Sequence, residues 1–238
     1  MVNVPVITRR ELSALFLSPM AYVVLTGFAL AQGIMLALVL QPSIDPAWTA
    51  EWVFRIPVYL LIVAAPVLTM GLLSAETAGG TIETMMTAPV TEAELVLGKF
   101  GGALVFAMVM FLPLAAQVGF LGLHGQMDVG PVLAGFMGLF LLTAQFLALG
   151  LLFSALTRVQ VAAAIMTFAC LLALYAAFFL DSASHAAPAR LLRYLSPPGH
   201  YTSFPQGIVD TRDVAYFVIT IVLFLALTVR ALQLRKWR

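Results

Sequence analysis

Six long stretches of the chain carry no charged residue, and this feature restricts the possible folds more than any other. The stretch from Phe100 to Leu123 contains 24 uncharged residues, which as a helix would extend about 36 Å. The hydrocarbon core of a bilayer is about 30 Å thick. A charged side chain at its centre costs about 2.5–3.5 kcal/mol. The stretches therefore predict transmembrane helices, and the fold class is an all-α membrane protein.

The six predicted transmembrane helices cover residues 20–40, 57–73, 100–123, 132–156, 161–180 and 214–234. Composition agrees, because 62% of the residues are hydrophobic and 10% are charged, which leaves too few polar groups to cover a soluble globule. The remaining segments are an interfacial connecting helix at 1–19, a cytoplasmic segment at 74–98 and an extracellular re-entrant loop at 181–213. Together they form a single transmembrane domain, residues 1–238.

The distribution of Lys and Arg predicts the orientation of the chain. An even number of spans places both termini on one side of the membrane. With the termini inside, the cytoplasmic segments hold eight Lys and Arg residues and the outer loops hold four, as the positive-inside rule requires. We therefore expect a multi-pass protein of the bacterial cytoplasmic (inner) membrane with both termini cytoplasmic. A net charge of +1 gives no indication of a nucleic-acid partner.

The first 19 residues are predicted to form a helix on the cytoplasmic membrane surface. Thr8 and Glu11 have the spacing of a capping box, which favours a helix start at this point. The candidate residues of this helix are Arg9, Arg10 and Glu11, and Pro19 separates the helix from the first span.

The segment between the second and third spans is predicted to contain a short amphipathic helix with a methionine patch. Gly79 precedes this helix and Pro89 ends it. Such a patch suits docking into a partner's groove, whereas a helix resting on anionic lipid would be disfavoured by its acidic residues. Thr91 and Glu94 repeat the capping-box spacing and predict a helix that runs into the third span. The candidate contact residues of this segment are Glu76, Gly80, Thr81, Ile82, Glu83, Met85, Met86 and Pro89.

The outer loop is predicted to form short interfacial or re-entrant helices, because its apolar pieces are too short to span. Its candidate residues are Pro197, His200, Gly207 and Asp210. The three histidines of the chain, His124, His185 and His200, all fall on the predicted outer side. No His-x-x-x-His or Glu-x-x-His spacing unites them, so we expect solvated loop histidines and no metal site.

No catalytic residue is predicted. A nucleotide-binding loop of the Gly-x-x-x-x-Gly-Lys-Ser/Thr type is absent from the sequence, and Gly98-Lys99 opens a membrane span instead. Ser154 lacks the pattern of a hydrolase nucleophile. The predicted spans hold charged residues only at their ends, which disfavours an ion-coupled carrier.

Several runs of the sequence resemble a known family. The run Glu76-x-x-x-Gly80-Thr-Ile-Glu83 and its continuation to Lys99 resemble the first cytoplasmic loop of type-2 ABC exporter permeases. The run from Ser196-Pro-x-x-His200 to Arg235-Lys-Trp-Arg238 resembles the subgroup related to gliding-motility and nitrous-oxide-reductase maturation permeases. Arg10-Glu11 and Ser18-Pro19 agree, so the resemblance covers essentially the whole chain.

This resemblance implies the permease subunit of an ATP-driven exporter, in which the segment around Glu76 includes the coupling helix. It implies two cytoplasmic ABC ATPase subunits and a second permease subunit, in a homodimer or a related heterodimer. The ATPase would bind ATP and Mg, and this chain would hold no cofactor. The other expected contacts are membrane lipid and a periplasmic partner. Thr77, Ala78 and Gly79 stand where the family usually carries more charge, so ATPase contacts there are expected to be organised differently.

Three other functions are compatible with the sequence. One is a nucleotide-independent channel or secondary carrier, which would be active without an ATPase. The second is an intramembrane enzyme, which would require a convergent polar pair deep in the bundle. The third is a structural membrane scaffold for another complex. The transported substrate is not predicted, because long apolar faces suit many cargoes.

Overall fold

The computed structural model describes residues 3–39, 46–79, 91–123, 128–182 and 194–236. Within these ranges the chain is helical and contains no strand. Six helical stretches are long and apolar enough to cross a membrane: Pro19–Leu38, Glu51–Ala78, Glu92–Leu123, Val129–Leu156, Gln160–Phe179 and Thr211–Leu234. The prediction of an all-α membrane protein is therefore confirmed.

Ten α-helices lie in the described part of the chain. They are α1 (Val4–Leu17), α2 (Pro19–Val39), α3 (Pro46–Thr69), α4 (Ser74–Ala78), α5 (Glu92–Met110), α6 (Leu112–Leu123), α7 (Val129–Leu156), α8 (Gln160–Ala176), α9 (Pro197–Tyr201) and α10 (Thr211–Lys236). Two 3₁₀ helices cover Ala177–Ser182 and Phe204–Gln206. Helices α3 and α5 begin before the apolar stretches that predicted them, because charged residues stand between each helix start and its uncharged stretch: Glu51 and Arg55 in α3, and Glu92, Glu94 and Lys99 in α5. The amphipathic helix predicted before Pro89 lies outside the described residues.

The two predicted capping boxes have different outcomes. At the start of α5 the Thr91 hydroxyl accepts from the Glu94 amide at 3.2 Å, and the Glu94 carboxylate accepts from the Thr91 amide at 3.2 Å, so this box is confirmed. The box at Thr8 and Glu11 is wrong, because α1 already begins at Val4 and both residues lie inside it. A proline in the first turn supplies a helical φ angle at that earlier start.

Helix α7 occupies the centre of the bundle. It packs against α3, α5, α8 and α10, and buried residues occur along it from Ala134 to Ala155. One end of the bundle carries α1, α4 and the starts of α5 and α8, and we call it the α1 end. The opposite end carries α9 and the 3₁₀ helix Phe204–Gln206, which packs on α7.

Glycines on α7 allow neighbouring elements to approach closely. A Cβ atom at Gly150 would lie 2.1 Å from the Thr69 hydroxyl oxygen, and one at Gly138 would lie 2.6 Å from Phe204. Small residues of this kind let helices pack tightly in a membrane, where apolar lipid provides little drive for association. The two glycines therefore fix α3 at one end of α7 and the 3₁₀ helix at the other.

A serine of α7 stabilises the break between α3 and α4. The Ser154 hydroxyl oxygen accepts from the amides of Leu73 and Ser74, each at 3.1 Å, and donates to the Met70 carbonyl at 3.0 Å. Non-helical backbone at membrane depth is tolerated only where protein groups satisfy it. Ser154 therefore has a structural role, which sequence patterns for nucleophilic serines could not reveal.

Gly150→Ala is expected to destabilise the bundle, because the new methyl group would collide with the side chain of Thr69. Overpacking of this kind costs about 1–3 kcal/mol, so the unfolding temperature in detergent should fall. Gly119→Ala on α6 is the matched control, since a Cβ there meets nothing within 4 Å and alanine favours a helix. Equal unfolding temperatures for the two variants would contradict the close approach.

Candidate functional site

A buried lysine joins three separate segments at the α1 end. Lys99 lies on α5, and its side chain is 1% exposed. Its ammonium Nζ donates to Glu11 Oε1 on α1 at 2.8 Å and to Glu76 Oε1 on α4 at 2.8 Å. We call these three residues the lysine bridge. It connects α1, α4 and α5 through charge-assisted hydrogen bonds, which are stronger than neutral ones.

The packing of α1 on α5 places Glu11 beside the lysine. A Cβ atom at Gly98 would lie 2.6 Å from Ile7, and one at Gly102 would lie 2.7 Å from Glu11 Cβ. The backbones approach closely at these glycines, and the Thr8 hydroxyl donates to the Gly98 carbonyl at 3.2 Å. Thr8 and Glu11 are thus engaged by α5, which explains why their capping-box spacing marks no helix start.

The buried lysine of the bridge is stabilised by its two carboxylate partners. A buried ammonium is costly unless it is paired, and here two carboxylates of 13% and 17% side-chain exposure surround it. From the sequence, Lys99 is expected to be a positive charge at the cytoplasmic start of the third span. Its partners are 88 and 23 residues away along the chain, so no local pattern could reveal the bridge. The one available signal is a single lysine that opens an otherwise uncharged span.

The predicted contact residues of the α1 end fall into two groups. Glu76 lies in the described part of the chain and belongs to the lysine bridge. Arg9 and Arg10 are exposed on α1, whereas Glu11 pairs with Lys99 on α5. The others lie outside the described residues: Gly80, Thr81, Ile82, Glu83, Met85, Met86 and Pro89. They stay predictions.

A histidine organises the opposite end. His200 Nδ1 lies 2.7 Å from Asp213 Oδ1 on α10, and Nε2 donates to the Tyr194 carbonyl at 2.9 Å. Its ring stacks on that of Tyr216, with centroids 4.0 Å apart. The second Asp213 oxygen accepts from the Ser203 hydroxyl at 2.9 Å. His200 and Asp213 therefore join the segment before α10 to α10 itself.

The expectation of solvated histidines is wrong for His200, which is only 8% exposed. The expectation failed because its carboxylate partner stands 13 residues further along the chain, beyond the spacings that were considered. His124 and His185 lie outside the described residues. Among the residues that the structure describes, no group of three or more His, Cys, Asp or Glu could hold a metal ion.

The other predicted residues of this end have conformational roles. Pro197 is buried and begins α9, where its fixed φ favours the first turn. Gly207 has φ +81°, a left-handed conformation that favours glycine, and ends the 3₁₀ helix. Asp210 Oδ1 accepts from the Arg212 amide at 2.9 Å at the start of α10.

Two hydroxyl groups anchor the same segment to the rest of the bundle. The Tyr201 hydroxyl donates to the Phe54 carbonyl on α3 at 2.8 Å, and burial raises the pKa of Tyr201, which keeps this hydroxyl a donor. The Ser196 hydroxyl donates to the Leu174 carbonyl on α8 at 2.8 Å. The segment that contains α9 is therefore fixed to α3, α8 and α10.

Lys99→Met is expected to destabilise the protein, because it removes the ammonium that pairs with Glu11 and Glu76 and leaves the two carboxylates close together. Breaking a buried pair costs about 3 kcal/mol or more, and the unfolding temperature in detergent should fall. The triple variant Glu11→Gln, Glu76→Gln, Lys99→Met removes all three charges and should recover most of the loss. Arg9→Gln, an exposed change on the same helix, is the control. A Lys99→Met variant as stable as the unmodified protein would contradict the bridge.

Comparison with known families identifies the chain. The family model described as ABC-2 family transporter protein matches residues 20–237, which span all six candidate membrane helices. Comparison with curated proteins finds no match. Because the family match covers most of the sequence, the chain belongs to the ABC-2 family of transporter proteins.

Proposed function

We propose that this chain is the permease subunit of an ATP-driven exporter, and that the lysine bridge transmits movement from a separate ATPase to the membrane spans. Membership of the ABC-2 family supports a transmembrane permease subunit, an ABC ATPase partner and usually a second permease. The observation that carries the transmission step is the burial of Lys99 between carboxylates of two other segments.

The energy source in this proposal is a partner protein. The sequence contains no nucleotide-binding loop of the Gly-x-x-x-x-Gly-Lys-Ser/Thr type, and its Gly98-Lys99 pair lies within α5. ATP and Mg would be bound by two cytoplasmic ATPase subunits. The complex would contain a second permease, identical or related to this chain, in the bacterial cytoplasmic membrane. Resemblance to the gliding-motility and nitrous-oxide-reductase maturation permeases supports the same arrangement.

Glu76 provides the route by which a partner could move the spans. It lies on α4, which leads into the segment predicted to contact the ATPase. A displacement of α4 would act on Lys99 and so on α5, while Glu11 would carry the movement to α1. Helix α4 is also joined to α7 through Ser154. One movement at the α1 end would therefore reach the core of the bundle.

The opposite end would respond as a unit. His200, Tyr201 and Ser196 fix its short helices to α10, α3 and α8 respectively. In the proposed cycle, rearrangement of the spans shifts access from the inner to the outer side, and this segment covers the outer end until the spans separate. Alternating access of this kind depends on elements that move as bodies.

The orientation can be tested with two exposed positions on a Cys170→Ala background. Gln206→Cys at the opposite end should react with a membrane-impermeant maleimide on intact spheroplasts. Ala78→Cys at the end of α4 should react only once the membrane is permeabilised. Both positions are exposed, so they are a matched pair. Reaction of Ala78→Cys from outside would reverse the topology and contradict the proposed ATPase contact.

Energy coupling can be tested without knowledge of the cargo. Trapping the complex with ATP and vanadate should change the maleimide labelling rate of Gln206→Cys, because closure of the ATPase rearranges the spans. The double variant Glu83→Ala, Met86→Ala should abolish this change while the bundle keeps its unfolding temperature. Glu51→Ala, at the start of the second candidate span, is the control. An undiminished change in the double variant would contradict coupling through this segment.

A further inference from the structure

A cavity of about 380 Å³ opens beside the lysine bridge. Its polar wall contains Arg10, Gln160 and the three residues of the bridge. The remaining wall is mainly apolar and is formed by residues of α1, α2, α3 and the segment after α3, among them Val24 on α2 and Val67 on α3. The cavity therefore has a charged part at the α1 end and an apolar part directed along two membrane helices.

A second cavity continues the first along the membrane helices. It has a volume of about 270 Å³ and is lined only by apolar residues and glycine. Val24 and Val67 line both cavities, so together they form one groove between α2 and α3. From Val67 to Leu60 this groove follows two turns of α3, about 10 Å. We call the combined feature the α2–α3 groove.

The polar end of the groove carries charges of both signs. Glu11 and Glu76 carry two negative charges against one positive charge on Lys99, so the bridge has a net charge of −1. Arg10 is exposed at the rim and forms no ion pair with another described residue. A lysine has three N–H donors, and within the described ranges Lys99 uses two of them, both on carboxylates.

We propose that the α2–α3 groove binds a phospholipid with a primary-amine headgroup, of the phosphatidylethanolamine type. The phosphate would pair with Arg10 and accept from Lys99, and the ammonium would lie against the carboxylates of the bridge. One acyl chain would follow the apolar part of the groove past Val67 and Val24. A headgroup with a quaternary amine has no N–H to donate, and an anionic headgroup without an amine would face the negative charge of the bridge.

Such a lipid would have a structural consequence at the α1 end. It would fill the space between α1 and the α2–α3 pair, next to Lys99, and would connect the surface helix to the spans through its headgroup. The proposal concerns the chain's own residues and does not depend on the identity of the cargo or on the ATPase.

The binding can be tested by native mass spectrometry of the full-length chain after delipidation. Dioleoyl phosphatidylethanolamine, phosphatidylcholine and phosphatidylglycerol are each added at matched concentrations. We expect the ethanolamine lipid to be retained about tenfold more than the other two, because only it satisfies both charges. Equal retention of the three lipids would mean that they bind as ordinary annular lipid and would overturn the proposal.

Two pairs of variants locate the site. Arg10→Gln should lower retention of the ethanolamine lipid about tenfold, whereas Arg9→Gln, which does not line the groove, should leave it unchanged. Val67→Trp should block the acyl chain, and Val222→Trp on the exposed side of α10 should not. Each variant is checked for a single peak in size exclusion, so that loss of binding is not loss of folding. Equal effects within either pair, or a dimer that excludes all three lipids from the groove, would overturn the assignment.

Discussion

The structure of the α1 end depends on the pairing of a buried ammonium group with two carboxylates. Lys99 is removed from water on α5, and the groups that compensate its charge belong to α1 and α4. If either segment moved away from α5, Lys99 would lose one of its two carboxylate partners in a region of low dielectric constant, which is costly. The three segments are therefore linked energetically although they are far apart in the sequence. The glycines of α5 reinforce the link, because they let α1 approach closely.

A similar requirement to satisfy buried polar groups explains the roles of Ser154 and His200. Lipid offers no hydrogen bonds, so each place where a helix stops needs a protein partner for its free backbone groups. Ser154 satisfies the break between α3 and α4, and His200 bonds to the Tyr194 carbonyl before α9. Ser154 and His200 thus act at points where the backbone leaves the regular helix.

The features that the sequence predicts are those with local causes. Uncharged stretches identify six spans because a buried charge is costly at any position along them, and the Thr91 capping box involves residues three apart. The lysine bridge and the contact between His200 and Asp213 depend on tertiary packing, which no spacing rule describes. Thr8 and Glu11 have the spacing of a capping box, but their side chains bond to α5 instead of capping a helix. The proposed ATPase contacts between residues 80 and 89 stay predictions.

The two ends of the bundle are held by different kinds of interaction, and this difference favours one direction for the proposed movement. The bridge at the α1 end is ionic and its carboxylates are partly exposed. Coulomb attraction falls slowly with distance and depends little on angle, so such a junction can adjust while it stays paired. The opposite end relies on hydrogen bonds and on the stacked rings of His200 and Tyr216, which require fixed geometry. Movement would therefore enter through the adjustable junction, and the rigid segment at the other end would be carried with the helices to which it is bonded.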